Sequence, residues 1–149
     1  MYTLAFIFTL LFATVSFAGT HQVVFNSNCP TSYLQIPGHG NYKPGTYTFN
    51  GDVSAAIASA GPSCSVDGNN CASVEFTLNS AGTSTGDITL IPPHKSTSQV
   101  NFHMTPGGSG ASCNDQNCGK DNAFYQPTDY SAQRYESSPD SGIVINFTC

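Results

Sequence analysis

The sequence predicts an all-β protein, an antiparallel β-sandwich stabilised by disulfides. Short segments alternate apolar and polar residues, which is typical of half-buried strands. No stretch of ten or more residues combines apolar positions at helical spacing with helix caps. Loops rich in Gly, Ser, Thr, Asn and Pro separate the segments, and six cysteines are distributed among them. This combination favours two packed sheets over a helical or mixed fold.

The N-terminal segment predicts export. No charged residue precedes Lys43, and an apolar run extends from Leu4 to about Val15. That run is shorter than the ~20 residues of a spanning helix. Ser16 and Ala18 place small residues three and one positions before a cut after Ala18. We predict a signal peptide over residues 1–18, an anchored helix being the alternative, and a single domain over 19–149 that is secreted to the extracellular space or cell wall.

The candidate strands follow from period-two patterns. The segment Val53–Ser59 is ambiguous, because its three alanines would also suit a helical turn. The glycine-rich run from Pro106 to Gly110 has no phosphate-loop lysine and predicts a loop. The other segments are predicted strands: His21–Asn26, Tyr33–Ile36, Gly45–Asn50, Val74–Asn79, Asp87–Ile91, Gln99–Met104 and Ile143–Cys149.

Six cysteines in an exported chain predict three disulfides. Six allow 15 pairings, and spacing alone selects none. Two close pairs, Cys64 with Cys71 and Cys113 with Cys118, each bracket a turn-rich stretch. If both close locally, Cys29 pairs with Cys149. A zinc site is the alternative, but neither close pair has C-x-x-C spacing and no histidine stands beside them in a ligand pattern.

Charge excludes several functions. Charged residues are 9% of the chain, and Lys plus Arg number only 4. Nucleic-acid binding and membrane-surface helices both depend on clustered basic residues, so neither is expected. We expect no cofactor and no metal, and a monomer. Outward strand positions filled by Thr, Ser, Asn and Gln would account for the low charge.

The predicted hairpin from Val74 to Ile91 brings two carboxylates to one face. Val74, Phe76 and Leu78 should face the core, which turns Glu75 outward, and the same alternation turns Asp87 outward. We expect Phe76 to pair with Ile88 around a turn centred on Gly82. Glu75 and Asp87 would then be diagonal neighbours with Cα atoms ~7–8 Å apart.

Such a carboxylate pair has one catalytic and one ordinary interpretation. Two carboxylates separated by about 6.5–9.5 Å suit an inverting glycosidase, with Glu75 as acid and Asp87 as base. Two acidic side chains on a polar sheet face are more often simply solvated. Exposed tyrosines beside them would stack on sugars, although most tyrosines pack half-buried. The tyrosines of the predicted domain are Tyr33, Tyr42, Tyr47, Tyr125, Tyr130 and Tyr135.

One N-glycosylation sequon is present, Asn146-Phe147-Thr148. In the last predicted strand Ile145 and Phe147 share one face, so Asn146 lies on the other and would be exposed. Attachment of a glycan would compete with closure of the nearby Cys149 disulfide. Asn146 is therefore a candidate glycosylation site.

Several motifs together resemble the thaumatin-like protein family. HQVVFNSNC resembles the family opening F-x-x-x-N-x-C, and VEFTLN followed by DITLI resembles its hairpin A-E-F-[ST]-L…D-x-[SI]-L. VNFHMTP is similar to V-P-x-x-F-x-P, and AFYQPTD to A-[FY]-S-Y-P-x-D. The terminal IVINFTC is similar to the closing strand [YV]-x-[VI]-x-F-C. The motifs occur in family order from His21 to Cys149.

The resemblance implies a thaumatin-like β-sandwich with Cys29 bridged to Cys149 and Cys64 to Cys71. In that family an acidic cleft of one Arg, one Glu and three Asp is associated with β-1,3-glucan binding and antifungal action, and some members are weak glucanases. Glu75 stands at the family Glu position, and Asp87 matches the first hairpin Asp.

The chain also departs from the family pattern. Pro92-Pro93 falls near the second Asp position, and the chain's single Arg, Arg134, is not at the family Arg position. The second domain that walls the family cleft is missing. Without that wall we expect the two carboxylates to be screened by water, with no tuning of their pKa values.

Three functions follow as hypotheses. The first is a secreted binding or defence protein that contacts cell-wall β-glucan through Glu75, Asp87 and exposed tyrosines. The second is a weak endo-β-1,3-glucanase that uses the same two carboxylates. The third is an extracellular structural or signalling protein without carbohydrate activity.

Overall fold

A computed structural model describes residues 19–149. The predicted signal peptide lies outside the described residues. Eleven strands and one three-residue 3-10 turn form the described part. The strands are β1 (Thr20–Ser27), β2 (Thr31–Ile36), β3 (Gly40–Tyr42), β4 (Gly45–Asn50), β5 (Val53–Gly61), β6 (Ala72–Leu78), β7 (Ser84–Thr89), β8 (Gln99–Thr105), β9 (Gly110–Cys113), β10 (Arg134–Glu136) and β11 (Gly142–Thr148). The 3-10 turn is η1 (Tyr130–Ala132).

The strands form two sheets, so the predicted β-sandwich is confirmed. One sheet has five strands in the order β4-β1-β11-β8-β9, and the other has six in the order β10-β7-β6-β5-β2-β3. All pairings are antiparallel except that of β1 with β11, the first and last strands. Strands so distant in sequence can pair in parallel because the whole domain serves as their connection.

Alternation along each strand builds the core. Val74, Phe76 and Leu78 of β6 are buried, and so are Ile143, Ile145 and Phe147 of β11 in the other sheet. Large apolar side chains from both inner faces form one cluster. This arrangement leaves the outer faces of both sheets to polar side chains, as expected when a sheet has one buried face.

The three disulfides form Cys29–Cys149, Cys64–Cys71 and Cys113–Cys118, and no free cysteine is found in residues 19–149. The first spans 120 residues and fastens the segment after β1 to the end of β11. The other two close short loops of separation 7 and 5. Together they fasten the segment after β1 to the end of β11 and close two of the longest irregular segments.

The outer face of the five-stranded sheet accounts for part of the low charge. Asn26 donates from Nδ2 to Oδ1 of Asn146 at 2.9 Å, and Asn146 donates in turn to Oδ1 of Asn101 at 2.9 Å. These three residues occupy one row across β1, β11 and β8. Amide hydrogen bonds therefore serve this surface where other proteins place ion pairs.

The structure also shows strands that the sequence patterns missed. β3 and β10 have three residues each and β9 has four, too short for a period-two signal. Gly110, expected in a loop, begins β9. Val53–Ser59 lies within strand β5, whose pairing with β6 shifts between Val53 and Ala56. Across residues 19–149, no helix is long and apolar enough to span a membrane.

Candidate functional site

Glu75 and Asp87 lie directly opposite each other on β6 and β7. The predicted register is therefore wrong, because the observed pairing is shifted by two residues along one strand. Phe76 pairs with Gly86, not with Ile88, and Val74 pairs with Ile88. Both registers keep the apolar side chains on the core face, so alternation alone cannot distinguish them. Hydrogen bonds around the loop between β6 and β7 favour the observed register. Asn79 donates from its backbone N–H to Oγ of Ser84 at 2.8 Å and from Nδ2 to the carbonyl of Thr83 at 2.7 Å.

The corrected register changes the expected spacing of the two carboxylates. Directly opposed residues on antiparallel strands have Cα atoms about 4.5–5.5 Å apart, closer than the diagonal ~7–8 Å. The inverting-glycosidase spacing inferred from the diagonal arrangement therefore loses its basis. The prediction that Glu75 and Asp87 share the outer face of one sheet agrees with their positions on the six-stranded sheet.

The two carboxylates differ in their surroundings. Glu75 is exposed, whereas Asp87 is half-buried between its neighbours on the sheet. Loss of solvent raises the pKa of Asp87 to about 7, and repulsion from the Glu75 carboxylate adds to the increase. The expectation that water would leave both carboxylates unperturbed is therefore wrong for Asp87. Near neutral pH this carboxyl group is therefore partly protonated.

A groove of about 420 Å³ crosses the sheet at this pair. Its lining comes from β5, β6 and β7 in turn: Ala55 and Ile57, Glu75 and Thr77, Thr85 and Asp87. Gln133, which immediately precedes β10, completes the lining beside Asp87. Three neighbouring strands and the start of a fourth thus contribute to one concave surface.

Ala55 forms the edge of this groove through an irregular backbone. Its φ of 53° lies in the left-handed region, which is uncommon for a residue other than glycine. The residue falls where the register of β5 against β6 shifts, and its N–H donates to Oγ1 of Thr77 at 3.1 Å. A β-bulge here bends β5 locally beside the carboxylates.

A second groove of about 240 Å³ adjoins the first on the other side of the pair. It shares Glu75, Asp87 and Gln133 with the first groove. Beyond them its lining becomes apolar and aromatic: Ile91, Phe124, Pro127 and Tyr130. The segment that supplies Phe124 is held against β7, because Phe124 donates its N–H to the carbonyl of Ile88 and accepts from the N–H of Leu90, both at 2.8 Å.

Tyr130 is the exposed aromatic residue at this site. It is 67% exposed, and its ring meets that of Phe124 edge-on at 6.3 Å between centroids. Tyr135 is 54% exposed but lines neither groove, and its hydroxyl donates to Oε1 of Gln133 at 3.3 Å. The other tyrosines considered from the sequence are half-buried away from the pair: Tyr33, Tyr42, Tyr47 and Tyr125.

Arg134, the chain's single arginine, does not act on the carboxylate pair. Its Nε donates to the carbonyl of Gly110 at 2.6 Å, and its Nη2 donates to the carbonyl of Asp121 at 2.6 Å. The guanidinium thus joins β9 to the loop that contains Asp121 through backbone oxygens. Asp129 is likewise structural, since it accepts from the backbone N–H groups of Tyr125 and Gln126 and forms an ion pair with Lys120 at 3.0 Å.

The G-x-S-x-G motif of this chain does not present an exposed serine nucleophile. Gly82 to Gly86 has the form G-x-S-x-G, but its central Ser84 is fully buried at the start of β7 and bonds Ser141. A nucleophile on a strand-to-helix turn would instead be exposed. The buried His21 accepts from Ser80 at 3.2 Å through Nε2, because its Nδ1 donates to the carbonyl of Ser141 at 2.7 Å. Neither groove at the carboxylate pair reaches these residues.

In residues 19–149, no three His, Cys, Asp or Glu side chains lie close enough together to hold a metal ion.

Asn146, the candidate glycosylation site, lies on the outer face of the five-stranded sheet. It is half-buried by its two asparagine neighbours rather than fully exposed. This residue is on the opposite sheet from Glu75 and Asp87.

Gln133 and Ala55 are the site residues that sequence reasoning missed. Gln133 precedes a strand of three residues that has no pattern of its own. Ala55 contributes through a bulge, and an alanine carries no signal for a left-handed conformation. Both become part of the groove only through the pairing of β10 with β7 and of β5 with β6.

Comparisons with known proteins find similarity among solved structures. No family model matches the chain, and no curated protein matches it. Among solved structures, the thaumatin-like xylanase inhibitor TLXI is similar, with a TM-score of 0.49 and 12% sequence identity. The match covers 85% of this chain and 97% of that chain. At this level of similarity, membership of the thaumatin-like family stays a prediction.

Proposed function

We propose that this protein is a secreted protein that binds β-1,3-glucan of cell walls through the groove at Glu75 and Asp87, in an antifungal or defence-type role. The observation that carries the proposal is the composition of this groove. A carboxylate and a readily protonated carboxyl group lie side by side, with an exposed tyrosine at one end. Sugars are bound by such combinations, because hydroxyls need donors and acceptors while the C–H faces of the rings pack on aromatic side chains.

The charge of the groove favours a neutral polymer. Glu75 and Asp87 are its charged side chains among the described residues, and no Lys or Arg lines it. An anionic chain would meet repulsion from Glu75. A protonated Asp87 adds a hydroxyl donor beside the acceptor oxygens of Glu75, which complements a sugar hydroxyl.

Secretion is part of the proposal. Three disulfides within one domain favour an oxidising compartment. Expression of the full chain in a eukaryotic host, followed by N-terminal sequencing of the protein in the medium, tests this. We expect the secreted form to begin at Gly19. Retention of residues 1–18 on a membrane-bound product would contradict the prediction.

Co-sedimentation with insoluble β-1,3-glucan particles at pH 5.5 tests the binding function. We expect the wild-type protein in the pellet with β-1,3-glucan and in the supernatant with starch granules. Replacing both carboxyls (Glu75→Ala with Asp87→Ala) should release the protein, whereas Asp121→Ala, at an exposed carboxylate outside the grooves, should not. A wild-type protein that stays in the supernatant would contradict the proposal and favour a structural or signalling role.

The defence-type role has its own assay. We expect the purified protein to slow hyphal extension of a fungus whose wall exposes β-1,3-glucan, and excess soluble laminarin to relieve that effect. Inhibition that laminarin does not relieve would separate the antifungal role from glucan binding.

Weak endo-β-1,3-glucanase activity is the second candidate, and the raised pKa of Asp87 is the observation that favours it. A carboxyl group with a pKa of about 7 beside an ionised neighbour is the arrangement of a general acid and its partner carboxylate. The roles are then reversed from those expected, with Asp87 donating the proton. Release of reducing sugar from laminarin tests this, and Asp87→Asn should abolish it. Activity that persists in both Asp87→Asn and Glu75→Gln would contradict this candidate.

A further inference from the structure

Resting on the proposed glucan binding, we infer that the site accepts an internal segment of a neutral polysaccharide chain, which passes across the acidic pair with sugar units bound on both sides. The two grooves share Glu75, Asp87 and Gln133 and extend from them in different directions. They therefore form one trough with the pair at its middle.

Along β7 the linings of the two grooves are continuous, and the first groove also extends sideways over β6 and β5. Thr85, Asp87 and Thr89 alternate on its outer face, and Ile91 continues the line beyond the strand. At about 3.3 Å per residue, the strand part from Thr85 to Thr89 alone spans about 13 Å. A site confined to the acidic pair would need only a fraction of that length. The length accommodates several units of an extended chain.

The two arms differ in chemistry, and both suit sugar units. One arm offers the hydroxyls of Thr77 and Thr85 together with the apolar side chain of Ile57. The other offers the Tyr130 ring, kept in place by its edge-on contact with Phe124. A sugar unit would hydrogen-bond in the first arm and stack on the ring in the second.

This arrangement predicts that chain ends are not recognised. A site that reads a chain end closes around it, whereas here the lining continues on both sides of the pair. Affinity should therefore rise with the number of sugar units until both arms are filled. Chemical reduction of the terminal sugar should leave the affinity for long chains unchanged.

Isothermal titration with a laminari-oligosaccharide series from two to seven units, intact and borohydride-reduced, tests the inference. Tyr130→Ala should weaken binding of the longest oligosaccharide about threefold to tenfold, as expected for one aromatic stacking contact. Tyr130→Phe should retain the wild-type affinity, because the ring provides the contact. Tyr33→Ala, at a tyrosine of β2 that lines neither groove and whose ring contacts Lys43, is the control and should have no effect.

Thr85→Arg tests the other arm by filling it with a long side chain, and Thr83→Arg in the adjoining exposed loop is its control. Wild-type melting temperatures for all five variants would exclude unfolding as the cause. The inference is overturned if affinity already reaches its limit at two units, if reduction of the chain end abolishes binding, or if either arm variant binds the longest oligosaccharide as the wild type does. If the wild-type protein does not co-sediment with β-1,3-glucan, the proposed function itself is wrong. If it co-sediments but Tyr130→Ala and Thr85→Arg do not weaken binding, only the two-arm arrangement is wrong.

Discussion

Asp87 stands directly opposite Glu75 on neighbouring antiparallel strands, and Asp87 is the more buried of the two. Burial and the neighbouring charge both disfavour the ionised form of Asp87. The pair thus places a proton-holding carboxyl group beside a carboxylate on an accessible sheet surface. This relationship makes the properties of the site dependent on pH in a range where most surface carboxylates are fully ionised.

The first prediction concerns stability. The pKa of Asp87 in the folded protein, about 7, exceeds its ordinary value of 3.8, so the folded state binds more protons between these limits. The free energy of unfolding should therefore fall as pH rises from about 4 to about 7, and the penalty should be absent below that window. Asp87→Asn removes the penalty and should stabilise the protein by about 4 kcal/mol at pH 8.5. Urea unfolding at pH 3.5 and 8.5 measures this, with Asp121→Asn as control. An equal gain at both pH values would contradict it.

The second prediction separates the two causes of the raised pKa. Glu75→Gln removes the neighbouring charge but leaves Asp87 half-buried. The pKa of Asp87 should fall in this variant yet stay above its ordinary value, because burial is the larger cause. An NMR titration of the Asp87 side-chain carbonyl carbon measures the change. A return to the ordinary value would mean that repulsion, not burial, dominates.

The third prediction links protonation to ligand binding. If the Asp87 proton is donated to a sugar hydroxyl, wild-type affinity for soluble β-1,3-glucan should be higher at pH 5.5 than at pH 8.5. Asp87→Asn keeps a neutral donor at this position, so its affinity should vary less over the same range. Titration calorimetry at both pH values compares them. Parallel pH profiles for wild type and variant would show that Asp87 is not the titrating group.

The fourth prediction concerns the disulfides. The Cys29–Cys149 bridge closes a separation of 120 residues, and Cys113–Cys118 a separation of only 5. In the chain-entropy account, removing the first should cost about 5 kcal/mol and removing the second about 2 kcal/mol. Paired Cys→Ser replacements at each bridge, compared by urea unfolding, test the ranking. A greater loss for the short bridge would contradict it.

The fifth prediction concerns the asparagine row on the five-stranded sheet. Asn146 takes part in two amide hydrogen bonds of 2.9 Å, whereas Asn101 takes part in one of them. At about 1 kcal/mol for each bond, Asn146→Ala should destabilise the fold by about 2 kcal/mol and Asn101→Ala by about half as much. Chemical denaturation of the non-glycosylated protein measures both. Mass spectrometry before and after enzymatic deglycosylation determines whether Asn146 carries a glycan.

Sequence patterns were sufficient for the class of fold and the faces of its longer strands. Alternation in β6 places Val74, Phe76 and Leu78 inside and Glu75 outside, because a side-chain period of two follows from the strand backbone itself. The same reasoning puts Asp87 on the outer face. Alternation could not predict the strands of three or four residues, because so few positions cannot establish a period.

Tertiary structure determined the spacing of Glu75 and Asp87, the pKa of Asp87 and the side chains around the pair. Whether Asp87 lies opposite Glu75 or diagonal to it depends on hydrogen bonds in the Asn79–Thr83 loop, and both registers satisfy the same alternation. The raised pKa of Asp87 depends on the strands and loops that withdraw it from water. Tyr130 and Gln133 reach the pair only because β10 joins the edge of the sheet at β7. Alternation is a local property of the chain, whereas register, burial and the meeting of distant side chains arise from packing between segments far apart in sequence.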